Sequence, residues 1–542
     1  MKIIVLGGVA AGTKIAAKLM REDRSNEVLI LNKGAEISYA GCGLPYYVGH
    51  VIKEKESLIV NTPKKYEALT GAHVLTRMEA VQVDREAKQV TAIHLDTQEK
   101  AVYSYDKLVI ATGASPVRPP IDGVDLENVF FMRTPEDAIS LRNLVSGGEI
   151  KRAVVVGAGY IGLEIAENLA KDGVKPFVLD MAPHVLPGFD EEFATYIEGK
   201  LADAGIPVVT GVRVTGLEGD GGKVKKVLTD RKAYKADLVV LSAGIRPNTA
   251  FLDGTGLEMV KGTLLTNEVG QTNDPDIYAA GDCAMVRSVI TGKPAWSPMG
   301  STANINGRII AQNIMGKELR YRGSLGTAVC QLPSLNVGRT GLTEAQARAE
   351  GFDPISVVTI VDDKAHYMPG AATFTMKLIA DRTTQRILGV QVAGPGAVDK
   401  IVDITVTAIQ CGATLDQLDG ADFAYAPPFS TAIHPFAHTL NVLKNKLSGT
   451  FETFTPAEFA QGLAKDYRIV DASLKPTIEG APYVDLTTVT GPLKDFGPEE
   501  KILLICNKGK RAYLLQNRLK AFGYQHVKVL EGGNLFTDIT LD

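Results

Sequence analysis

Two stretches of this chain repeat one pattern, and the repeat restricts the fold more than any other feature. "RAVVVGAGYIGLEIAENLA" runs a Val-rich strand into Gly157, Gly159 and Gly162 and on into an amphipathic helix, with Tyr160 and Ile161 completing the loop. The glycines permit the tight turn and close backbone approach by which a dinucleotide pyrophosphate rests on a helix N-terminus. "KIIVLGGVAAGTKIAAKLM" repeats the unit near the start: Gly7 and Gly12 are kept, Val9 takes the middle position, Ala10 and Ala11 follow, and Gly8 stands beside it. Two such units require an α/β fold with two Rossmann-like dinucleotide-binding domains.

Each unit is expected to end its second strand with a residue that reads the ribose. "PFVLDMAP" puts Asp180 there, where a carboxylate accepts from both ribose hydroxyls and repels a 2'-phosphate, predicting NADH over NADPH. "EVLILNKG" offers Asn32, an amide that can still hydrogen-bond a ribose, more weakly. Two further segments fit a flavin. "KLVIATGASP" runs a strand into Ala111, Thr112 and Gly113, and "DIYAAGDCAMV" ends a strand at Gly281 and Asp282, an acid suited to the ribityl chain. Taken singly these are ordinary strand ends; in this order, with both loops, they describe a relay from nicotinamide to flavin.

A chain of 542 residues is too long for one core and suggests three or four folding units. A net charge of -4 gives no basis for a polyanion binder, so nucleic acid is not expected as a partner. Lys2 and the apolar residues after it imitate a short signal peptide, but the run is brief and enters a glycine turn, as a buried strand does. No long apolar run suggests a membrane span. The cysteines, Cys42, Cys283, Cys330, Cys411 and Cys506, are odd in number, scattered, and free of CxxC or zinc spacing. A reducing cytoplasm is therefore expected, with most of the thiols inert in the core and no metal site.

The ordered set "GGVAAG", "ATGASP", "GAGYIG", "SAGIRPN" and "AAGDCA" resembles the pyridine nucleotide disulfide oxidoreductase family over roughly residues 1 to 445. The resemblance implies an FAD domain in two pieces, 1–150 and 245–325, an inserted NADH domain, 151–244, an α+β dimerisation domain, 326–446, and a homodimer. It also implies that Lys33, Arg133, Gly244 and Ala303 belong to the cofactor sites.

Many members of that family carry a CxxxxC redox pair beside the flavin; here the position five after Cys42 is Tyr47. "SYAGCGLPYYVG" instead resembles the single-cysteine branch, with Gly41 in place of the usual Asn, and implies that Cys42 is a nucleophile and Ser38 a substrate contact. A small buried cysteine is the plainer alternative. The start of the following helix is expected to lower the thiol pKa. Lacking an internal partner, Cys42 should form a mixed disulfide or a persulfide, so the substrate must bring the sulfur. The branch includes NADH peroxidases and oxidases, which typically carry a His in the first glycine loop where this chain has Ala10, and coenzyme A disulfide and persulfide reductases. In the latter, positions matching Lys18 and Arg21 meet the coenzyme's phosphates, although both also fit a solvated helix face. "HYMPGA" and "DFAYAPPFSTA" place Tyr367 and Tyr425 where the group donates phenols across its dimer to the partner's cysteine; ordinary interface packing is the alternative.

From residue 452 to 542 the pattern changes. "KILLICNKGKRAYLLQNRLKAFGY" holds a C-x-x-G-x-R loop, Cys506 through Gly509 to Arg511, that resembles the rhodanese active loop, where amides and a helix N-terminus cradle a cysteine persulfide. Asp471 keeps an expected acid, while the upstream half departs from the pattern, so a packing role is the alternative. Together these features predict FAD-dependent, NADH-driven reduction of coenzyme A persulfide, coenzyme A disulfide or polysulfide through Cys42, with Cys506 handling sulfane sulfur. The rivals are an NADH oxidase or peroxidase, and a flavin-linked sulfur-transfer or redox-sensing protein.

Overall fold

The computed structural model describes residues 1–541 and forms two units, residues 1–183 with 206–324, and residues 184–205 with 325 onward. In the first unit, Lys2–Leu6 lies at the centre of a five-stranded parallel sheet in the order Ile277–Ala279, Lys107–Ile110, Lys2–Leu6, Glu27–Asn32, His73–Thr76. Apolar residues fill both faces, as a covered parallel sheet demands. Ile3, Val5 and Val109 pack with Ile15 and Leu19 of the helix Ala10–Glu22, while Ile4, Leu6 and Leu108 face the other layer. Ile277–Ala279 returns to this sheet only after a second one has been completed.

That second parallel sheet runs Val208–Val209, Lys175–Leu179, Arg152–Val156, Leu238–Leu241, Val129–Phe131. Its last strand precedes residue 151, where the sequence pattern begins the inserted domain. A three-residue strand with no glycine turn after it gives no periodic signal, and only its pairing with Leu238–Leu241 defines it. At both loops a Cβ on the third glycine, Gly12 or Gly162, would run into the carbonyl oxygen of the first, Gly7 or Gly157. Glycine is therefore required for each helix to start directly over its strand.

The second unit holds a five-stranded antiparallel sheet, Ala328–Leu332, Leu335–Gly341, Ile387–Gly394, Thr373–Asp381, Pro354–Asp362, packed by the helices Val398–Gln410 and Pro435–Leu447. Pro354–Asp362 is an edge strand yet almost wholly buried. Glu531, from the C-terminal domain, explains how: its Oε2 accepts the Val358 N–H at 2.8 Å, satisfying a group that the sheet leaves unpaired. Its Oε1 accepts from Lys446 Nζ and Thr453 Oγ1, each at 2.6 Å. The C-terminal domain itself is a parallel sheet, Thr453–Phe454, Val527–Leu530, Ile502–Ile505, Arg468–Asp471.

The helix Glu191–Asp203 belongs to this second unit although it falls inside the expected NADH domain. A buried ion cluster holds it there. Lys377 Nζ, on Thr373–Asp381, lies 2.9 Å from Asp190, 2.5 Å from Glu192 and 3.2 Å from Glu344. Burial pushes this ammonium toward neutrality, but the three carboxylates outweigh it and keep its pKa above the usual lysine value.

Candidate functional site: a lone thiol between two nucleotide loops

The segment carrying Cys42 is stapled on both sides. The Ser38 N–H donates to the Gly8 carbonyl at 2.8 Å, linking it to the first glycine loop, and the Val60 N–H donates to the Ser38 carbonyl at 3.0 Å. Cys42 lies in the single 3-10 turn Gly41–Gly43, followed by the five-residue helix Leu44–Val48. All five cysteines are free; Cys283, Cys330 and Cys506 are buried, whereas Cys411 is exposed at the end of Val398–Gln410.

The expected lowering of the Cys42 pKa does not occur. Cys42 keeps exposed surface, yet enough protein crowds its sulfur that burial is the first cause of a pKa raised above the ordinary thiol value. The carboxylates of Glu164 and Asp282 add to it, opposed by Arg133. Arg133 is itself committed, its Nη2 lying 2.8 Å from Asp282 Oδ2. A five-residue helix carries a short dipole, and burial, with two nearby carboxylates, outweighs it.

Glu164 has no counterpart in the expected site. It stands one turn after Tyr160 on Tyr160–Lys171, the helix that opens at the second glycine loop, and its Oε1 accepts from the Tyr46 phenol at 3.0 Å. Gly49 lets that helix close on the Cys42 segment, since a Cβ there would strike the Asn168 side chain. The i, i+4 spacing from Tyr160 was the available signal: it puts Glu164 on the same helix face as the loop tyrosine.

Around the first loop the expected cofactor residues converge. Gly7, Asn32, Lys33 and Thr112 line one cavity of about 820 Å³, together with Arg246 and Asn248. The Thr112 hydroxyl donates to the Asn248 carbonyl at 2.8 Å and the Asn248 amide returns a bond to the Thr112 carbonyl at 3.0 Å, locking "ATGASP" to "SAGIRPN". Ala11, Gly281 and Ala303 meet where Ala10–Glu22 and Gly300–Ile314 start, and Gly113 lies against the Arg133 guanidinium. Asn32 is more occupied than expected. Its Oδ1 accepts the Gly8 N–H at 2.9 Å, and its Nδ2 donates to the Gly34 and Glu36 carbonyls, each at 3.0 Å. It braces the loop and leaves a ribose one acceptor lone pair. Lys33 is paired with Glu79 at 2.7 Å on the cavity rim.

At the second loop Gly157 takes the left-handed φ of +114° and Gly159 caps the helix with open space where a Cβ would sit. Asp180 is fixed by the Ala158 N–H at 2.6 Å and the Ala182 N–H at 2.8 Å, one to each oxygen, so both oxygens retain a lone pair for ribose hydroxyls. Gly244, at φ +103°, follows Leu238–Leu241 of the same sheet. The first cradle fits a dinucleotide by size, and both fit one by backbone freedom and donor set. Lys18 is ion-paired with Glu22, which Lys317 also approaches at 3.1 Å, while Arg21 one turn along is exposed.

In the second unit Tyr367 and Tyr425 are 65% and 51% exposed, and Phe429 and Ile433 are exposed as well. The Tyr425 pKa is raised, first by partial desolvation and then by its hydrogen bond with Tyr367, so the two phenols form a pair. In the C-terminal domain Cys506 directly follows Ile502–Ile505, and its Sγ accepts the Ala512 N–H at 3.4 Å beneath the start of Lys510–Ala521. Gly509 adopts φ +87° to make that turn. Arg511 is anchored by the Ala472 carbonyl at 3.1 Å and by Asp485 at 2.9 Å. Asp471 is a brace, its carboxylate held ionised against burial by the Ser473, Thr477 and Ile478 N–H groups.

Comparison with known proteins finds three family matches along the chain. Residues 1–302 match the pyridine nucleotide-disulphide oxidoreductase family, 327–437 its dimerisation domain, and 455–534 the rhodanese-like domain. An NAD(P)H coenzyme A polysulfide/persulfide reductase of Pyrococcus horikoshii is 35% identical over 448 residues, 82% of this chain and 98% of that one. An NADH oxidase of Methanocaldococcus jannaschii is 33% identical over 449 residues, 83% of this chain and all of the other. The solved structure of an NAD-dependent persulfide reductase from A. fulgidus superposes with a TM-score of 0.94 at 34% identity, covering 99% of this chain and 100% of that one. The chain belongs to the pyridine nucleotide-disulphide oxidoreductase family and carries a rhodanese-like domain at its C-terminal end.

Proposed function

We propose that this chain is an NADH-driven flavoprotein reductase of coenzyme A persulfide, coenzyme A disulfide or polysulfide, working through Cys42. The observation that carries the reading is the lone thiol: no other described cysteine pairs with it, and its segment is bonded to the first dinucleotide loop and to the helix that opens at the second. The P. horikoshii and A. fulgidus relatives, named for persulfide reduction, support it.

For the persulfide the balance is NADH, a proton and R–S–SH giving NAD+, R–SH and hydrogen sulfide. Gly157, Gly159, Gly162 and Asp180 hold the NADH; Gly7, Gly12, Thr112, Gly281 and Asp282 hold the FAD. Bound FAD supplies the two-electron exchange between nicotinamide and sulfur. The Cys42 thiolate attacks the substrate S–S bond, whose electron pair leaves with the departing sulfur, and Lys18 and Arg21 meet the coenzyme's phosphates. Tyr367 and Tyr425 act on the partner subunit of a homodimer, where a phenol stabilises the departing thiolate. Their exposure and their place within the matched dimerisation domain support that assignment. Cys506 accepts or delivers sulfane sulfur. A reducing cytoplasm suits the free thiols; no helix among the described residues is long and apolar enough to cross a membrane.

An oxidase is the second reading, favoured by the M. jannaschii relative and opposed by Ala10 in the first glycine loop. Anaerobic NADH oxidation with coenzyme A persulfide, with sulfide counted against NADH, separates the two. One sulfide per NADH without oxygen supports the reductase. Turnover that starts only when oxygen is admitted assigns the oxidase.

A further inference from the structure

The loop that carries Cys506 presents three cations, Lys508, Lys510 and Arg511. Two of them are already matched. Arg511 Nη2 donates to Asp485 Oδ1 at 2.9 Å, within the same domain. Lys508 Nζ lies 2.8 Å from Asp362 Oδ1, and Asp362 comes from outside that domain, at the end of the antiparallel sheet's edge strand Pro354–Asp362. This second pair is open to exchange, its side chains being 39% and 37% exposed. Lys510, which opens the helix, stands exposed. His438, on Pro435–Leu447, is near enough to feel both Lys510 and Asp362. Burial and then Lys510 push its pKa down against the pull of Asp362, so it adds no charge at neutral pH. The three loop cations thus keep one unmatched positive charge.

We propose that Asp362 is a specificity-determining residue of the Cys506 site, setting it to take sulfane sulfur from a thiol persulfide and to discriminate against small sulfane dianions such as thiosulfate. The proposal rests on Cys506 being a sulfur acceptor, as read above. A dianion that leaves water at this loop brings two charges where one is matched, and Lys508, the cation that would match the second, is held by the Asp362 carboxylate. The reacting end of a thiol persulfide brings at most one charge.

The step is the same for either donor. The Cys506 thiolate attacks the terminal sulfur, the donor S–S bond breaks, and its electron pair leaves with the thiolate or, from thiosulfate, with sulfite. A new S–S bond forms on Cys506, any hydrogen on the transferred sulfur stays with it, and no electrons are needed from elsewhere.

The test uses full-length holoprotein with Cys42→Ser, without NADH, so that loaded sulfur is not discharged. The initial rate of one-sulfur mass gain on the Cys506 peptide is followed against the concentration of thiosulfate and, separately, of pantetheine persulfide. The background protein should load far faster from the persulfide. Asp362→Asn, and Asp362→Ser as a second variant, should raise the second-order loading rate constant for thiosulfate about five- to tenfold and change that for the persulfide less than about twofold. Asp362→Glu should behave as aspartate does. Equal loading from both donors before substitution overturns the proposal, as does a thiosulfate rate unmoved in the variants, or a parallel loss with both donors that glutamate rescues, which makes Asp362 a strut. No loading from either donor, with FAD still reduced by NADH in the same protein, overturns the reading of Cys506 itself and the proposal with it.

Discussion

In the proposed reaction, the neighbours of Cys42, Glu164 among them, set the state of the thiol at the residue scale. The thiol is held above its ordinary pKa by burial and by the Glu164 and Asp282 carboxylates, so at neutral pH it is mostly protonated before any ligand arrives. Removing the Glu164 charge favours the thiolate and moves the pKa down. Glu164→Gln should therefore speed iodoacetamide alkylation of Cys42 at neutral pH by about three- to tenfold, and an unchanged rate would show that this carboxylate does not govern the thiol. That Cys42 is a lone thiol was legible because Tyr47 occupies the place of a second cysteine. Its electrostatics were not, because Glu164 is distant in the chain and is brought close only by the approach of its helix over Gly49.

Elements differ in how locally they are specified. The two glycine loops were readable since a left-handed φ and the contact of a helix start with a strand end are demands on single residues, Gly7 and Gly157, Gly12 and Gly162. Val129–Phe131 was not readable, because three residues without a turn become a strand only through a neighbour. The helix Pro435–Leu447 shows a cap with a pH dependence. His434 Nδ1 accepts the Phe436 N–H at 3.2 Å, the ring stacks on Phe423, and burial followed by Lys400 depresses its pKa from 6.5 to about 4. The unfolded chain therefore takes up this proton first: the contribution to stability is complete above about pH 6.5 and is lost as pH falls toward about 4. Thermal unfolding followed from pH 7.5 to 4.5 should show a shallower fall in Tm for His434→Asn, which keeps a capping oxygen, than for the parent. Equal slopes would remove His434 from the account.

At the scale of the whole molecule, the family and its domain types were legible while the grouping of elements was not. Lys377 sits in "TFTMKLIAD", where a strand alternation assigns a lysine to solvent; the helix Glu191–Asp203 covers it and supplies its carboxylates. Tyr367, Tyr425, Phe429 and Ile433 are exposed, and the proposed homodimer would cover them. Phe429→Asp should shift the sedimenting species from dimer to monomer and abolish persulfide turnover while FAD remains reducible by NADH; a parent that sediments as a monomer contradicts the shared site. The central claim is that one thiol couples NADH to sulfur. Its most direct measurement is anaerobic stopped-flow mixing of the Cys42→Ser holoenzyme with NADH and coenzyme A persulfide, beside the parent. The account predicts flavin reduction in both, and sustained NADH consumption with sulfide release in the parent alone; sustained turnover by Cys42→Ser would contradict it.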